Sequence, residues 1–481
     1  MHYKIGVRKR LKIEDAIQMQ NLSSKVTIAS NVLQQIAKGR RVLKAHLNRG
    51  MVVYGINTGF GALCDTRISE SELKQLQLNL IRSHTAGVGN EVPLPLSRLM
   101  LFLKLYALCK GVSGVSVELV QFLQWMFNKG IIPVVYDTGS LGASGDLAPL
   151  AQLFLPVIGE GEVWYEGKYW NTRALYEQLN VQPLQLEEKE GLALINGTQF
   201  MLAYAVEIVF LLEKLLNHWL DLVGECCRLF RVRKEPFEPY THRFASNPYQ
   251  RWVAERILAA LDEHEEAEVV QDPYAFRCIP QVYGALWETF HHCKQVVEQE
   301  LETVSDNPLI AETGVLSGGN FHGQRLALVL DQLGIALAEW GSMSERRIYQ
   351  MLSGKRGLPK FLAWSPGINS GLMILQYTAA ALVNQLVQMA QPNSLYSIPS
   401  SDGQEDYVSM GANAATRLYQ MVKISLQLFV LEWYVVQEAK VHRQENPDPL
   451  FSRLNFTKND RIHAQNLKIL FHTFLQKFRN L

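Results

Sequence analysis

The length of its helical apolar stripes constrains this chain more than any other feature. Between Ala205 and Val223, Ile208, Leu211, Leu212, Leu215, Trp219 and Leu222 recur at steps of three and four, with Glu213, Lys214 and Asn217 between them. That is the period of one amphipathic helix. The same period predicts helices over about 325–352, 371–390 and 412–439, each well beyond the roughly 11 to 12 residues of an ordinary globular helix. Such stripes leave water only by packing against one another, so a bundle is expected, and their breadth favours contacts between subunits as well as within one.

The first 170 or so residues read differently. YGINTGFG (54–61) and GSLGASG (139–145) are too rich in glycine for helix interiors and suit tight loops of close approach. Boundaries are expected near residue 200, where the long helical patterns begin, and near 440, where HRQENPDP interrupts the last of them. This divides the chain into an N-terminal loop-bearing domain (1–200), a long-helix bundle (201–440) and a C-terminal helical tail (441–481). Hydrophobic residues at 48% and charged residues at 19% exclude a mainly disordered chain. Lys plus Arg total 47 against 46 Asp plus Glu, which removes the basic footprint of a protein that tracks nucleic acid.

MHYKIGVRKRLKIEDAIQ lacks the apolar core of a secretory signal, and the most apolar stretches, such as LQLFVLEWYVV with Glu432, are broken by charge before they could span a bilayer. A cytoplasmic protein without a membrane segment is expected. Cys64, Cys109, Cys226, Cys227, Cys278 and Cys293 form no CxxC pair, so free thiols are expected in a reducing compartment. His291-His292-Cys293 offers no ligand set, because adjacent helical residues point about 100° apart and no second pair follows at zinc spacing. His264 opens HEEAE, which lacks the second histidine of HExxH. No metal is expected.

The segment GSLGASGDL (139–147) carries the sharpest chemistry. In Ala143-Ser144-Gly145 an unhindered glycine nitrogen can attack the alanine carbonyl and close a five-membered ring; loss of water there and from the Ser144 side chain would leave an exocyclic methylene. The same tripeptide also reads as a plain glycine turn before a helix capped near Asp146.

The surroundings decide between these readings. GSLGASGDLAPLAQ, with YGINTGFG, SHTAGVG, GLALINGTQ, QDPYAFRCIPQ, SDNPL, SGGNFHG, SERR and QEDYVSMG, occurs in family order from about residue 50 to residue 435 and resembles the aromatic amino acid lyases, their histidine-acting members most of all. The resemblance implies a mainly α fold in which a loop-rich N-terminal portion packs on a long-helix bundle of the fumarase and aspartase kind. It further implies that Ala143, Ser144 and Gly145 become 4-methylidene-imidazole-5-one (MIO), with no metal or external cofactor, and that a homotetramer shares each active site among three subunits. An amino group leaves poorly and no ordinary side chain is an electrophile, so a backbone-derived one answers a chemical need.

By the same resemblance Tyr54 is the general base that removes a β-proton, on a loop able to close over substrate. A free tyrosine ionises near pH 10, so a phenolate at neutral pH demands a positive neighbourhood worth about 3 to 4 kcal/mol. Gln271, Tyr274 and Arg277 recur every three residues in QDPYAFR and are expected on one face. The planar fork of Arg277 suits an α-carboxylate. The resemblance gives Arg277 that role, makes Tyr274 an aid to proton transfer, sets Asn196 at the electrophile or the substrate amine, and packs Phe321 on the prosthetic ring.

The resemblance implies that substrate choice rests on Ser83-His84, on Met373 and on Glu405. The resemblance puts Glu405 where phenylalanine and tyrosine enzymes usually carry Gln. A carboxylate can accept from an imidazole N–H, whereas beside a phenyl ring it would be a desolvated charge costing several kcal/mol. The implied reaction is elimination of ammonia from L-histidine to give trans-urocanate. Gly403 and Tyr407 replace the Asn and His common in histidine enzymes, and NFHGQR with Gly323 and Gln324 is similar to tyrosine lyases and aminomutases. The stretch 263–270 and the first 45 residues also depart from the family. A tyrosine or phenylalanine lyase, an aromatic 2,3-aminomutase and an inactive helical scaffold are the alternatives.

Overall fold

The computed structural model describes residues 1–6, 10–59, 61–63, 65–262, 265–454 and 457–479; Cys64 and His264 lie outside the described residues. Helix dominates, and the four stripes read from the sequence are the helices Gln199–Leu229, Gln324–Met351, Met373–Met389 and Gly411–His442. The chain forms two compact units, each discontinuous in sequence: 1–207, 295–330 and 393–416 in the first, 208–294, 331–392 and 417–481 in the second.

The first unit holds the short elements. Its helix Leu94–Leu108 is buried on every side from Leu96 onward, as a helix apolar all round must be. The helices Leu73–His84, Leu147–Phe154 and Glu190–Ile195 pack against one another, and every residue of Glu190–Ile195 is buried. Small sheets tie the loops between them. Val88–Glu91 pairs antiparallel with Tyr136–Thr138, and Ile132–Pro133, Glu162–Tyr165 and Lys168–Asn171 form a three-stranded antiparallel sheet.

The second unit is nearly all helix. Its core stacks Tyr283 on Trp340 with ring centroids 4.0 Å apart, sets Trp219 and Trp287 edge-on or tilted to Trp340, and encloses the Arg347–Glu432 ion pair. Interruption of the last long helix after His442 is followed by the short helix Pro449–Ser452 and then by His463–Arg479. His291 is used in packing, stacked on Tyr249 at 4.7 Å.

Among the described residues one helix, Gln324–Met351, is long and apolar enough to cross a membrane by length and composition, yet 67% of its most apolar stretch is buried inside the protein. Charges at Asp331, Glu339, Glu345, Arg346 and Arg347 punctuate it, as in a core helix.

Candidate active site

A cavity of about 840 Å³ opens in the first unit. Its lining includes Tyr54, Ser83, His84, Ala143, Ser144, Asn196, Phe321 and Glu405, eight residues drawn from six separate stretches of chain.

The glycine-rich segment before the Leu147–Phe154 helix forms one wall. Gly145 has φ +76°, and a β-carbon there would lie 2.2 Å from the carbonyl oxygen of Gly197, so only glycine fits this approach. The Asp146 amide donates to that same Gly197 oxygen at 2.7 Å. Asp146 occupies the N-cap position of the helix but makes no side-chain cap. Its carboxylate instead accepts from Ser140 Oγ at 3.1 Å and from the Met201 amide at 3.0 Å, and burial pushes its pKa up to about 7. In place of the side-chain cap that the plain-turn reading would give, Asp146 makes a buried clamp on the loop.

Two hydrogen bonds join the residues that the sequence singles out. Asn196 Nδ2 donates to the Ser144 carbonyl at 2.7 Å, and Ser144 Oγ donates to Glu405 Oε1 at 2.7 Å. Asn196 Oδ1 is buried without a hydrogen-bond partner, an acceptor left over in the cavity wall. Glu405 Oε2 accepts from Ser400 Oγ at 2.8 Å, and backbone bonds between Ser400 and Glu405 hold the carboxylate's base. Tyr54 accepts at its phenol oxygen from the Gly61 amide at 3.1 Å. The tip of that loop meets Ser401, whose Oγ accepts from the Ala62 amide at 3.3 Å. His84 Nδ1 lies 2.8 Å from the Leu80 carbonyl; burial lowers its pKa, opposed by that carbonyl and by the charge of Glu405.

Several contributors are illegible in the sequence. Lys104 looks like one charge in an apolar helix, but it is 1% exposed and its Nζ donates to the carbonyls of Ala193 at 3.0 Å and Asn196 at 2.5 Å. It thereby fixes the end of the Glu190–Ile195 helix from which Asn196 projects. Burial pushes Lys104 down to about 7, with Asp306 opposing. Lys189 and Asp306 form a buried pair at 2.8 Å. Near the cavity's rim His322 stacks on Tyr407 with ring centroids 6.0 Å apart; the motif quoted His322 without giving it a role, and Tyr407 stood out only as a departure.

The other four predicted site residues belong to the second unit and do not line this cavity. Tyr274 opens the four-residue helix Tyr274–Arg277 and is 69% exposed, and the Arg277 guanidinium lies 4.5 Å from its ring centre. Gln271, also exposed, precedes that helix, so the expected three-residue repeat is not one helical face. Met373 is the first residue of Met373–Met389. Among the described residues no group of three or more His, Cys, Asp or Glu side chains is placed to hold a metal ion.

The sequence matches the aromatic amino acid lyase family over residues 11–459. The chain belongs to that family. It is a carbon–nitrogen lyase. The chain is 43% identical over 429 residues to a histidine ammonia-lyase from Geobacillus thermodenitrificans, covering 87% of this chain and 84% of that one. A solved histidine ammonia-lyase from Trypanosoma cruzi superposes with TM-score 0.89 at 32% identity, covering 100% of this chain and 94% of its own. The phenylalanine aminomutase of Pantoea agglomerans superposes with TM-score 0.92 at 27% identity, with 100% of both chains covered. The fold is thus that of the family's lyases and aminomutases alike, and discrimination between substrates falls to cavity residues.

Proposed function

We propose that this lyase eliminates ammonia from L-histidine to give trans-urocanate. The observation that carries the substrate is Glu405, a carboxylate in the cavity wall within hydrogen-bond reach of the Ser144 side chain. Next to the group that activates the amine, a carboxylate rewards an imidazole N–H and penalises an unsubstituted phenyl ring. His84 lines the same cavity.

The residues present suit the self-made prosthetic group. Gly145 is pressed on Gly197 where no β-carbon fits, and Asn196 donates to the Ser144 carbonyl, where negative charge collects in the ring. The 4-methylidene-imidazole-5-one of Ala143, Ser144 and Gly145 supplies the electrophile that turns a poor leaving group into a good one. Tyr54 takes the β-proton, with the Gly61 amide donating to its oxygen at 3.1 Å. Asn196 Oδ1 receives the substrate amine. Phe321, which lines the same cavity, packs on the prosthetic ring, and Ser83 and Glu405 orient the imidazole.

Gln271, Tyr274, Arg277 and Met373 complete the site from other copies of the chain in a homotetramer. The Met373–Met389 helix supports this, since apolar Ile374, Tyr377 and Val387 stand exposed along it, a surface suited to burial against a second copy. The enzyme works in a reducing cytoplasm, in keeping with Cys109, Cys226, Cys227, Cys278 and Cys293 as free thiols.

Incubating the purified protein with L-histidine, L-tyrosine and L-phenylalanine and following the absorbance of each acrylate tests the reading. Urocanate as the main product is expected; coumarate or cinnamate in its place, or a β-amino acid, would overturn the assignment.

A further inference from the structure

Glu405 is committed to a hydroxyl that the finished enzyme no longer has. In the uncyclised chain Ser144 Oγ sits 2.7 Å from Glu405 Oε1, and this is the oxygen that must leave as water when the prosthetic group forms. We infer that Glu405, besides facing the substrate, is the acid that releases the Ser144 hydroxyl during maturation. The inference rests on the self-cyclisation reading above.

Hydroxide is too poor a leaving group to depart unaided, so a positioned acid is the expected device. The carboxyl is aimed by three contacts on its own segment: Ser400 Oγ donates to Oε2 at 2.8 Å, the Ser400 amide donates to the Glu405 carbonyl at 2.8 Å, and the Glu405 amide donates to the Ser400 carbonyl at 3.2 Å. Ser144 is held from the other side by Asn196 on its carbonyl. Among the described residues of its own subunit Glu405 has no ion-pair partner within 4.0 Å, so its side-chain contacts there are with hydroxyls. The nearby Asp146 carboxyl is spent on Ser140 and Met201. When Glu405 carries a proton, the 2.7 Å contact runs the other way, with the carboxyl donating and Ser144 Oγ accepting.

The step balances. The Ser144 Cα–H bond breaks and its proton passes to water in the cavity, while its electron pair becomes the Cα=Cβ bond. The Cβ–Oγ bond breaks with its pair on oxygen, which takes the Glu405 proton and leaves as water. Glu405 remains as a carboxylate and regains a proton from solvent. Afterwards the same carboxylate stands beside the new methylene, where the substrate's imidazole is recognised.

The test is the intact mass of newly made chain, followed over time after cell-free synthesis, for wild type, Glu405→Gln and Glu405→Ala. The wild type is expected to end two waters lighter than its sequence. Both variants are expected to pause one water lighter, the second loss slowed by about 10²-fold, the lower end of what a positioned acid contributes. Added formate, small enough for the space that Glu405→Ala opens, is expected to speed that second loss, which a merely structural defect would not allow. Glu405→Gln keeps the side chain's shape and decides the matter if the alanine variant fails to fold. Loss of both waters from Glu405→Gln at the wild-type rate overturns the inference while leaving the cyclisation reading intact. A wild-type chain of unreduced mass sinks the cyclisation reading itself.

Discussion

Two glutamates, one in each unit, show how the same side chain is put to different use. Glu432 in the helical unit is 1% exposed and fully answered: Arg347 Nε and Nη2 reach its two oxygens at 2.6 and 3.0 Å, and Trp219 Nε1 and Ser344 Oγ add 2.6 and 2.5 Å bonds. Burial alone would lower the Arg347 pKa, but the charge of Glu432 outweighs it and leaves the guanidinium firmly protonated. Glu405 in the cavity-bearing unit is half-buried and meets hydroxyls, from Ser144 and Ser400. A carboxylate locked to a guanidinium is closed to a new partner. One facing hydroxyls in a cavity wall is open to one.

The largest effect that would sharpen this contrast is expected at the atom Glu405 faces. Ser144→Ala removes the hydroxyl whose departure as water would leave the proposed methylene and is expected to cut ammonia release by several orders of magnitude with the thermal transition unchanged; turnover near wild type would break the assignment of the cavity. Tyr54→Phe, which keeps the ring and deletes the proposed base, is expected to lower kcat by about 10² to 10⁴-fold, read from steady-state urocanate formation.

In the other unit Arg347→Met leaves Glu432 a buried unpaired charge. It is expected to destabilise the fold by about 3 to 5 kcal/mol in denaturant titration, with kcat per folded molecule preserved. Glu405→Gln should show the reverse pattern. Counted per fully matured chain by mass spectrometry, histidine turnover is expected to fall by roughly 1.5 to 3 kcal/mol, the worth of a hydrogen bond to a charged group, with stability nearly unmoved. Equal losses on histidine, tyrosine and phenylalanine would remove Glu405 from substrate choice.

The smallest effect concerns pH. Burial lowers the His84 pKa below its unfolded value, so His84 favours the native state above about pH 6.5, and that contribution fades as pH falls through the unfolded and then the folded value. His84→Gln is expected to make stability less sensitive to acid across that window in thermal melts at stepped pH. An unchanged slope would mean that Glu405 and the Leu80 carbonyl fully offset the burial.

Much of the site is legible in the sequence because its chemistry demands rare combinations. An Ala-Ser-Gly in a glycine-dense loop, a tyrosine among glycines and a glutamate in the QEDYVSMG motif each announce themselves, and Tyr54, Ser83, His84, Ala143, Ser144, Asn196, Phe321 and Glu405 line one cavity. Long helices are equally legible, since a stripe repeated over many turns has only one geometry that buries it. Lys104, Asp146 and Ser400 are not. Lysine in an apolar helix, aspartate before a helix and serine in a loop are ordinary in sequence, and their importance comes from partners 92, 55 and 5 residues away.

From the order of its residues alone this chain committed itself to long amphipathic helices, to glycine where backbones must touch and to an Ala-Ser-Gly tripeptide in a glycine-dense loop, because these follow from local sterics and side-chain period. Tertiary structure alone decided which carboxylate is neutralised and which is left to work. That choice depends on distances between residues 261 and 85 positions apart, the 2.7 Å from Ser144 to Glu405 and the 2.6 Å from Arg347 to Glu432, and no local pattern in the chain encodes them.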